Sequence, residues 1–230
     1  MKKAALVVGA SRGLGLAIVD ELLRRGWDVV GTVRGAKRTA LHALAERSAG
    51  SLAIETVDIT QVEEIAALKA RLAARTFDVL FVNAGVANAK GMSETVGEVA
   101  TDEFVKLMVT NALSPMRVIE ALIDRVRSGG VVGAMSSGQG SIADNESGGN
   151  DVYRASKAAL NMLMRSFAGR HGRDRALLLL APGWIKTDMG GPGARFTIEE
   201  TLPSIVDTIV AQQDQPGLRY VDRFGKTVRW

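Results

Sequence analysis

The sequence has no cysteine among its 230 residues, which excludes a disulfide framework, a thiolate metal site and cysteine-based catalysis. Histidine is nearly as scarce. His42 and His171 are the only imidazoles; their wide separation argues against a histidine-built metal site, and both read as solvated surface residues. Aromatic residues make up 5% of the chain, too few for a base-stacking surface, and the 29 Lys and Arg residues form no long basic tract. The formal charge of +4 is therefore better explained by a local anion site than by a nucleic-acid partner. Long apolar runs are also missing: the stretch that follows Lys3 stays apolar only as far as Val8, too short for a signal-peptide core or a membrane span. A cytoplasmic protein with no metal and no membrane partner is expected. What remains, 47% hydrophobic and 23% charged, is the composition of one packed domain spanning residues 1–230. A chain of that length buries roughly 70% of its unfolded surface without staples.

Short β-branched runs alternate with longer stretches of helical period. The pattern predicts strands at Ala4–Val8, Val29–Val33, Leu52–Val57, Val79–Val82, Val131–Met135 and Ala176–Leu180. It predicts helices at Gly13–Arg25, Thr39–Arg47, Gln61–Arg75, Thr101–Val126, Asn150–Arg170 and Ile198–Gln213. The strands are near-continuous apolar runs, so both faces must be covered, and the expectation is a doubly wound Rossmann-type α/β domain with a parallel sheet of about seven strands and helices on both faces. Thr60 with Glu63, and Thr197 with Glu200, have the spacing of capping boxes. Loops 138–150 and 183–197 follow strands at the carboxyl edge of the sheet, where ligands bind in such folds, and are expected to form the substrate site.

The first strand runs into Gly9-Ala10-Ser11-Arg12-Gly13-Leu14-Gly15 and then an apolar helix. That context suits a phosphate-cradling turn: Gly9 for the tight bend, Gly13 for close approach of backbone to a pyrophosphate, Gly15 for helix packing. A ligand-free structural turn is the bland alternative. The residue after the second strand decides which dinucleotide fits, and here a carboxylate is replaced by Arg34, with Lys37 and Arg38 beyond it and Arg12 in the glycine turn. Arg12 and Arg34 suit a 2′-phosphate, hence NADP(H) in preference to NAD(H). Lys37 and Arg38 read as solvated surface.

Tyr153 stands four residues before Lys157, so a helix presents both on one face. A cation about 4 Å from a phenol contributes on the order of 4 kcal/mol at an effective dielectric of 20, enough to draw a phenol toward neutral pH as a usable acid. An amphipathic helix face is the plain alternative. Asn111 lies in a helical stretch with Pro115 four residues on; the proline has no N–H to give the Asn111 carbonyl, which is left free unless the helix merely kinks there.

Taken in order, the glycine turn, Asn83-Ala84-Gly85, Ser136-Ser137, Tyr153 with Lys157, and Pro182-Gly183 resemble the short-chain dehydrogenase/reductase superfamily over nearly the whole chain. The stretches Gly140 to Asn145, Tyr153 to Met162 and Pro182 to Gly191, with Trp230 after a Gly225 turn, are similar to its C-factor and Sniffer-like carbonyl reductase group. The resemblance implies that Tyr153 donates a proton to a substrate carbonyl, that Lys157 lowers its pKa and holds the nicotinamide ribose, and that Ser137 hydrogen-bonds the carbonyl oxygen. Ser136 and Ser141 are alternatives for the serine role. Asn111 would help hold a water that links Lys157 to solvent. Asp58 would contact adenine, or else serve only as a turn residue beside Thr60; Asn83, Ala84 and Gly85 would line the cofactor, and Pro182, Gly183, Ile185 and Thr187 its carboxamide end. The chain departs from the family at Val8 and Val82, where Thr and Asn are common, which bears on how the glycine turn is held.

The implied function is an NADP(H)-dependent reductase of an aldehyde or ketone, or a dehydrogenase of the alcohol. A dinucleotide-binding signalling protein of the C-factor type and a non-redox lyase or epimerase are the other classes. Leu160, Met162, Leu163, Met164 and Phe167 spread too widely round the Tyr153 helix for one core-facing stripe, so a homodimer or homotetramer joined through that helix is expected. The covering of that helix by the Thr101–Val126 helix of the same chain is the alternative.

Overall fold

The computed structural model of the chain describes residues 2–88, 94–171 and 173–230. Among them run β1 (Ala4–Val8), β2 (Asp28–Val33), β3 (Leu52–Thr56), β4 (Phe77–Val82), β5 (Val126–Met135), β6 (Ala176–Ala181) and β7 (Gly217–Asp222). They form one sheet in the order β3-β2-β1-β4-β5-β6-β7 with every pair parallel. The helices are α1 (Gly13–Arg24), α2 (Ala40–Glu46), α3 (Val62–Arg71), α4 (Thr101–Met108), α5 (Ser114–Leu122), α6 (Asp151–His171) and α7 (Ile198–Val210).

The period-2 geometry of the strands explains their unbroken apolar sequence. Along β1, Leu6 and Val8 join a core with α3, α5 and α6, through Ile65, Leu68, Ile119, Leu160 and Phe167. Ala5 and Val7 join a second core with α1, α2 and α7, through Ile18, Leu22, Leu41, Ile205 and Val206. Strand order reverses between β1 and β4, so the carboxyl ends of these two strands open a crevice at the switch point. Among the described residues no helix is long and apolar enough to cross a membrane.

Several boundaries differ from the expected ones. The single helix predicted over Thr101–Val126 is three segments: α4, a π-helical turn at Val109–Leu113 and α5, followed by a 3₁₀ turn at Ile123–Arg125. Pro115 falls in the first turn of α5, where a missing N–H is tolerated, and the wide turn before it absorbs the ring that would clash in a regular helix. Val126 already belongs to β5, whose polar start Arg127-Ser128-Gly129-Gly130 hides the strand from an apolar scan. The ladder with β4 shifts register between Phe77 and Val79, and Arg127 Nε bonds Asp78 Oδ1 at 2.6 Å beside it. α3 ends at Arg71 and α7 at Val210, each earlier than expected.

The Thr197–Glu200 capping box is present, with Thr197 N donating to Glu200 Oε2 at 2.7 Å. The Thr60–Glu63 box is not: Gln61 stands at the N-cap of α3 without a side-chain capping bond, and Thr60 turns back to Asp58. His42 is also more than a solvated residue. Its Nδ1 accepts from Thr39 N at 3.1 Å, closing the start of α2 as a carboxylate would. His171 is exposed and stacks on Phe167 at 4.5 Å.

Candidate active site

The glycine turn is built by steric necessity. Gly9 has φ +87° and Gly13 φ +57°, both in the left-handed region that favours glycine. A Cβ on Gly15 would lie 2.1 Å from the Gly9 carbonyl, so the first turn of α1 packs directly on the loop. With Val8 where a hydroxyl is usual, the loop is held from its neighbours: Gly9 N donates to Thr32 Oγ1 at 3.0 Å, and Asn83 Nδ2 donates to the Gly9 carbonyl at 2.9 Å. Thr32 was not foreseen, although a polar residue inside the apolar β2 run was the available signal. α1 begins with no capping side chain on Arg12 and no acidic residue in its first turn. Its leading N–H groups and positive dipole end therefore face the loop mouth uncompensated by side chains.

Arg34, at the end of β2, is exposed, and its charge reaches Asp58 at the end of β3. Burial pushes the Asp58 carboxyl up, but the Thr60 hydroxyl and N–H, at 2.7 and 2.9 Å, together with Arg34 hold it below its ordinary value. Arg38 points instead to Glu46 at 2.7 Å.

At the other side of the crevice, β5 ends in Ser136-Ser137 and packs on α6. The three candidate serines differ sharply in their bonding. Ser136 is buried and its hydroxyl donates to Asn161 Oδ1 at 2.6 Å, while the Ser141 hydroxyl accepts from Asp144 N at 3.0 Å. Of the three, Ser137 is the one whose hydroxyl bears on the Tyr153 phenol, holding its pKa down. Its Oγ also accepts from Gln139 N at 3.2 Å, which caps the 3₁₀ turn at Gly138–Gly140.

Lys157 is buried, with Nζ donating to the Met135 carbonyl at 2.9 Å and standing 5.7 Å from the Tyr153 ring centroid. Burial lowers its amine to about 8. The same burial raises the half-buried Tyr153 phenol, with the Ser137 bond opposing the rise. The expected lowering of the phenol is not found: the ammonium is drawn to the carbonyl at the end of β5, and at the phenol desolvation outweighs the Ser137 bond.

Asn111 is fully buried in the π-helical turn, and its side chain joins two elements. Oδ1 accepts from Val86 N at 2.8 Å, and Nδ2 donates to the Val86 carbonyl at 2.9 Å and to Ser156 Oγ at 3.0 Å. A Cβ on Gly85 would lie 3.2 Å from Asn111 Oδ1 and 3.5 Å from Lys157 Nζ, so Asn83-Ala84-Gly85 passes close beside both.

β6 ends in Pro182 and Gly183, the latter at φ +94°. The following segment is tied by the Ile185–Phe196 bridge and by Gly190 N donating to Thr187 Oγ1 at 3.1 Å. Thr187 Cγ2 comes within 3.8 Å of where a Gly13 Cβ would be. Arg12 and Asp188 pair at 2.9 Å across the opening, above a cleft of ≈ 430 Å³ lined by Gly13, Lys186, Thr187 and Ile198. The structure thus gathers the glycine turn with Thr187, and Ser137 with Tyr153 and Lys157.

A family model described as short chain dehydrogenase matches residues 3–195, which leaves β7 outside the matched stretch. The 1-hydroxy-2-glutathionyl-2-methyl-3-butene dehydrogenase of Rhodococcus sp. (strain AD45) is 32% identical, with 98% of each chain covered. A protein of Burkholderia multivorans described as a short-chain dehydrogenase/reductase, solved with bound NADP, is 58% identical with a TM-score of 0.97 and 100% of both chains covered. A carbonyl reductase of Pseudomonas aeruginosa PAO1 in complex with NADP is 37% identical with a TM-score of 0.91, again over 100% of both chains.

Proposed function

This chain belongs to the short-chain dehydrogenase family and is an oxidoreductase of it, and from that premise we propose that it uses NADP(H) to reduce an aldehyde or ketone to the alcohol, or to run the reverse. The observation that carries the reading is the meeting of Ser137 and Tyr153 hydroxyls one helical turn from a buried Lys157. The glycine turn fits a dinucleotide: the start of α1 has neither cap nor acid to satisfy its N–H groups, and Gly15 leaves no room for a side chain. Gly9, Ser11, Arg12, Gly13, Leu14 and Gly15 would hold the pyrophosphate, and Arg12 with Arg34 a 2′-phosphate. Asp58 would meet the adenine, Asn83, Ala84 and Gly85 the cofactor's middle, and Pro182, Gly183, Ile185 and Thr187 its carboxamide. NADP in the Burkholderia and Pseudomonas structures supports this choice.

When bound, the nicotinamide group supplies the hydride. Ser137 orients the substrate oxygen through its hydroxyl, and Tyr153 Oη holds the proton that this oxygen gains. Lys157 would hold the ribose and keep a positive charge beside the phenol, while Asn111 fixes the strand end against α6 and would hold the water through which Lys157 exchanges its proton. Loops 138–150 and 183–197 frame the substrate. A cysteine-free chain suits the reducing cytoplasm, and we place it there as a homodimer or homotetramer. A signalling protein would need the glycine turn but not the Ser137, Tyr153 and Lys157 grouping.

The test is nicotinamide absorbance during turnover of a carbonyl panel, with benzaldehyde and phenanthrenequinone as first probes. NADPH consumption supports the reading; a protein that converts none of them with either cofactor overturns it. NADPH is expected to bind more tightly than NADH, each charged contact contributing about 1.5 to 3 kcal/mol. Arg34→Ala should narrow that gap, and an unchanged ratio would remove Arg34 from the phosphate site.

A further inference from the structure

The chain has two tyrosines, and the second is also tied to the reacting centre. Tyr220 lies on the edge strand β7 with 1% of its surface exposed. It pairs with Leu179 of β6, which in turn pairs with Ala134 of β5. From that edge its side chain reaches across β6, and its hydroxyl donates to the main-chain carbonyl of Ser137. Burial pushes this phenol up to about 12, against hydrogen bonds with the Asn161 and Ser136 side chains, so it stays a donor throughout the neutral range.

The surroundings make this contact a rigid one. Ser136 Oγ donates to Asn161 Oδ1 at 2.6 Å, and Asn161 Nδ2 donates to the Gly140 carbonyl at 3.2 Å. Asn161 follows Tyr153 and Lys157 at successive four-residue steps on α6, so one helical face carries the phenol, the amine and this amide. Tyr220 therefore closes a buried polar cluster that binds both sides of Ser137 to the helix bearing Tyr153. The Trp230 ring lies 5.4 Å from the Tyr220 ring, the Trp230 carbonyl accepts from Ala143 N at 3.0 Å, and Arg229 pairs with Asp144. Segment 228–230 thus holds Tyr220 from one side and the loop after Ser137 from the other.

We propose that Tyr220 is a positioning residue: by fixing the Ser137 carbonyl it sets the direction in which the Ser137 hydroxyl meets Tyr153 and the substrate oxygen. Buried as it is, it acts through Ser137 and not on a ligand. A peptide has two soft dihedrals at each residue, and a hydrogen bond on its carbonyl removes the swing that would carry Oγ away from the phenol. Misplacement of a reacting group by a fraction of an ångström to an ångström is costly to turnover while leaving remote binding contacts intact.

The inference rests on the reductase reading, and the experiment separates the two. In the NADPH-loaded enzyme with phenanthrenequinone, Tyr220→Phe is expected to lower kcat about 10-fold, with KM for NADPH unchanged because the glycine turn and Lys157 are untouched. Added to Ser137→Ala, it should cost nothing further, since the group it acts through is gone. A merely structural tyrosine would instead give losses that multiply. If Tyr220→Phe does not fold, Trp230→Ala, which removes the ring packed on Tyr220 together with its contact to Arg165, must give the same fall in kcat at constant KM for NADPH, and Arg165→Ala must leave kcat unchanged. Wild-type kcat in the variant that folds, or multiplicative losses with Ser137→Ala, overturns the inference. A wild-type protein that consumes no NADPH overturns the reductase reading instead.

Discussion

Burial moves Tyr153 and Lys157, one helical turn apart, in opposite directions: the phenol is raised and the amine lowered to about 8. Both shifts favour the uncharged form, which for the tyrosine is the form that donates a proton. Tyr153→Phe preserves the ring packing and removes only that proton, so turnover should fall by about 100-fold or more while KM for NADPH stays within error. A variant that keeps most of its reductase rate would assign the proton elsewhere. The lysine carries a stability consequence with a definite sign. Its folded value of about 8 lies below the ordinary 10.5, so below pH 8 the native state holds an ammonium that the buried site disfavours. That penalty fades as pH rises from 8 to 10.5 and is gone above it. Lys157→Met should therefore be more stable than wild type at pH 7, by at most about 3 kcal/mol, less what is lost with the Met135 bond. The advantage should shrink toward pH 10. A Met variant less stable at pH 7 than at pH 10, relative to wild type, would reverse the sign.

At the scale of elements, the π-helical turn at Val109–Leu113 shows how a backbone irregularity places one side chain. Asn111 there bonds the peptide of Val86 after β4 and the hydroxyl of Ser156 on α6, joining the two sides of the crevice. Asn111→Ala would take the side-chain partner from the part-buried Val86 N–H and carbonyl and leave the Ser156 hydroxyl only its bond to the Tyr153 carbonyl, and a loss of about 2 kcal/mol or more is expected from thermal or urea unfolding. A loss below about 0.5 kcal/mol would mean that water replaces the amide without cost. Pro115 pointed to this turn in the sequence, since a missing N–H is a local property. Strands packed on both faces were legible for the same reason, as were the glycine turn and the Tyr153/Lys157 face. What sequence could not supply were contacts between distant segments. The choice of Ser137 over Ser136 depends on Asn161 taking the Ser136 hydroxyl, and Tyr220 meets Ser137 across 83 residues of chain. β5 hid its first half behind Arg127 and two glycines, because an Asp78 side chain, not an apolar run, holds that end of the sheet.

At the scale of the whole molecule, an apolar surface lies open along α6 and α4 among the described residues. Leu160, Met164 and Phe167 of α6 are buried in the core, but Met162 is 62% and Leu163 40% exposed. The Thr101–Val126 segment, the alternative cover within the chain, does not close over them: Met162 and Leu163 line an open groove of ≈ 360 Å³ with Met108, Val109 and Leu113. Val105 and Phe104 on α4 are exposed as well. Contiguous apolar surface of this kind marks an interface in a soluble protein, and a two-fold axis beside α6 would lay the groove of one copy on that of another. Packing there would brace the helix that carries Tyr153 and Lys157 from the side opposite the core. Light scattering at micromolar concentration should return at least twice the 24.4 kDa chain mass. Met162→Glu combined with Leu163→Glu places like charges in the seam and should shift the protein to the monomer, since a buried unpaired charge costs several kcal/mol. A wild-type mass near 24.4 kDa would mean that the groove faces water and that α6 is braced by its own chain alone.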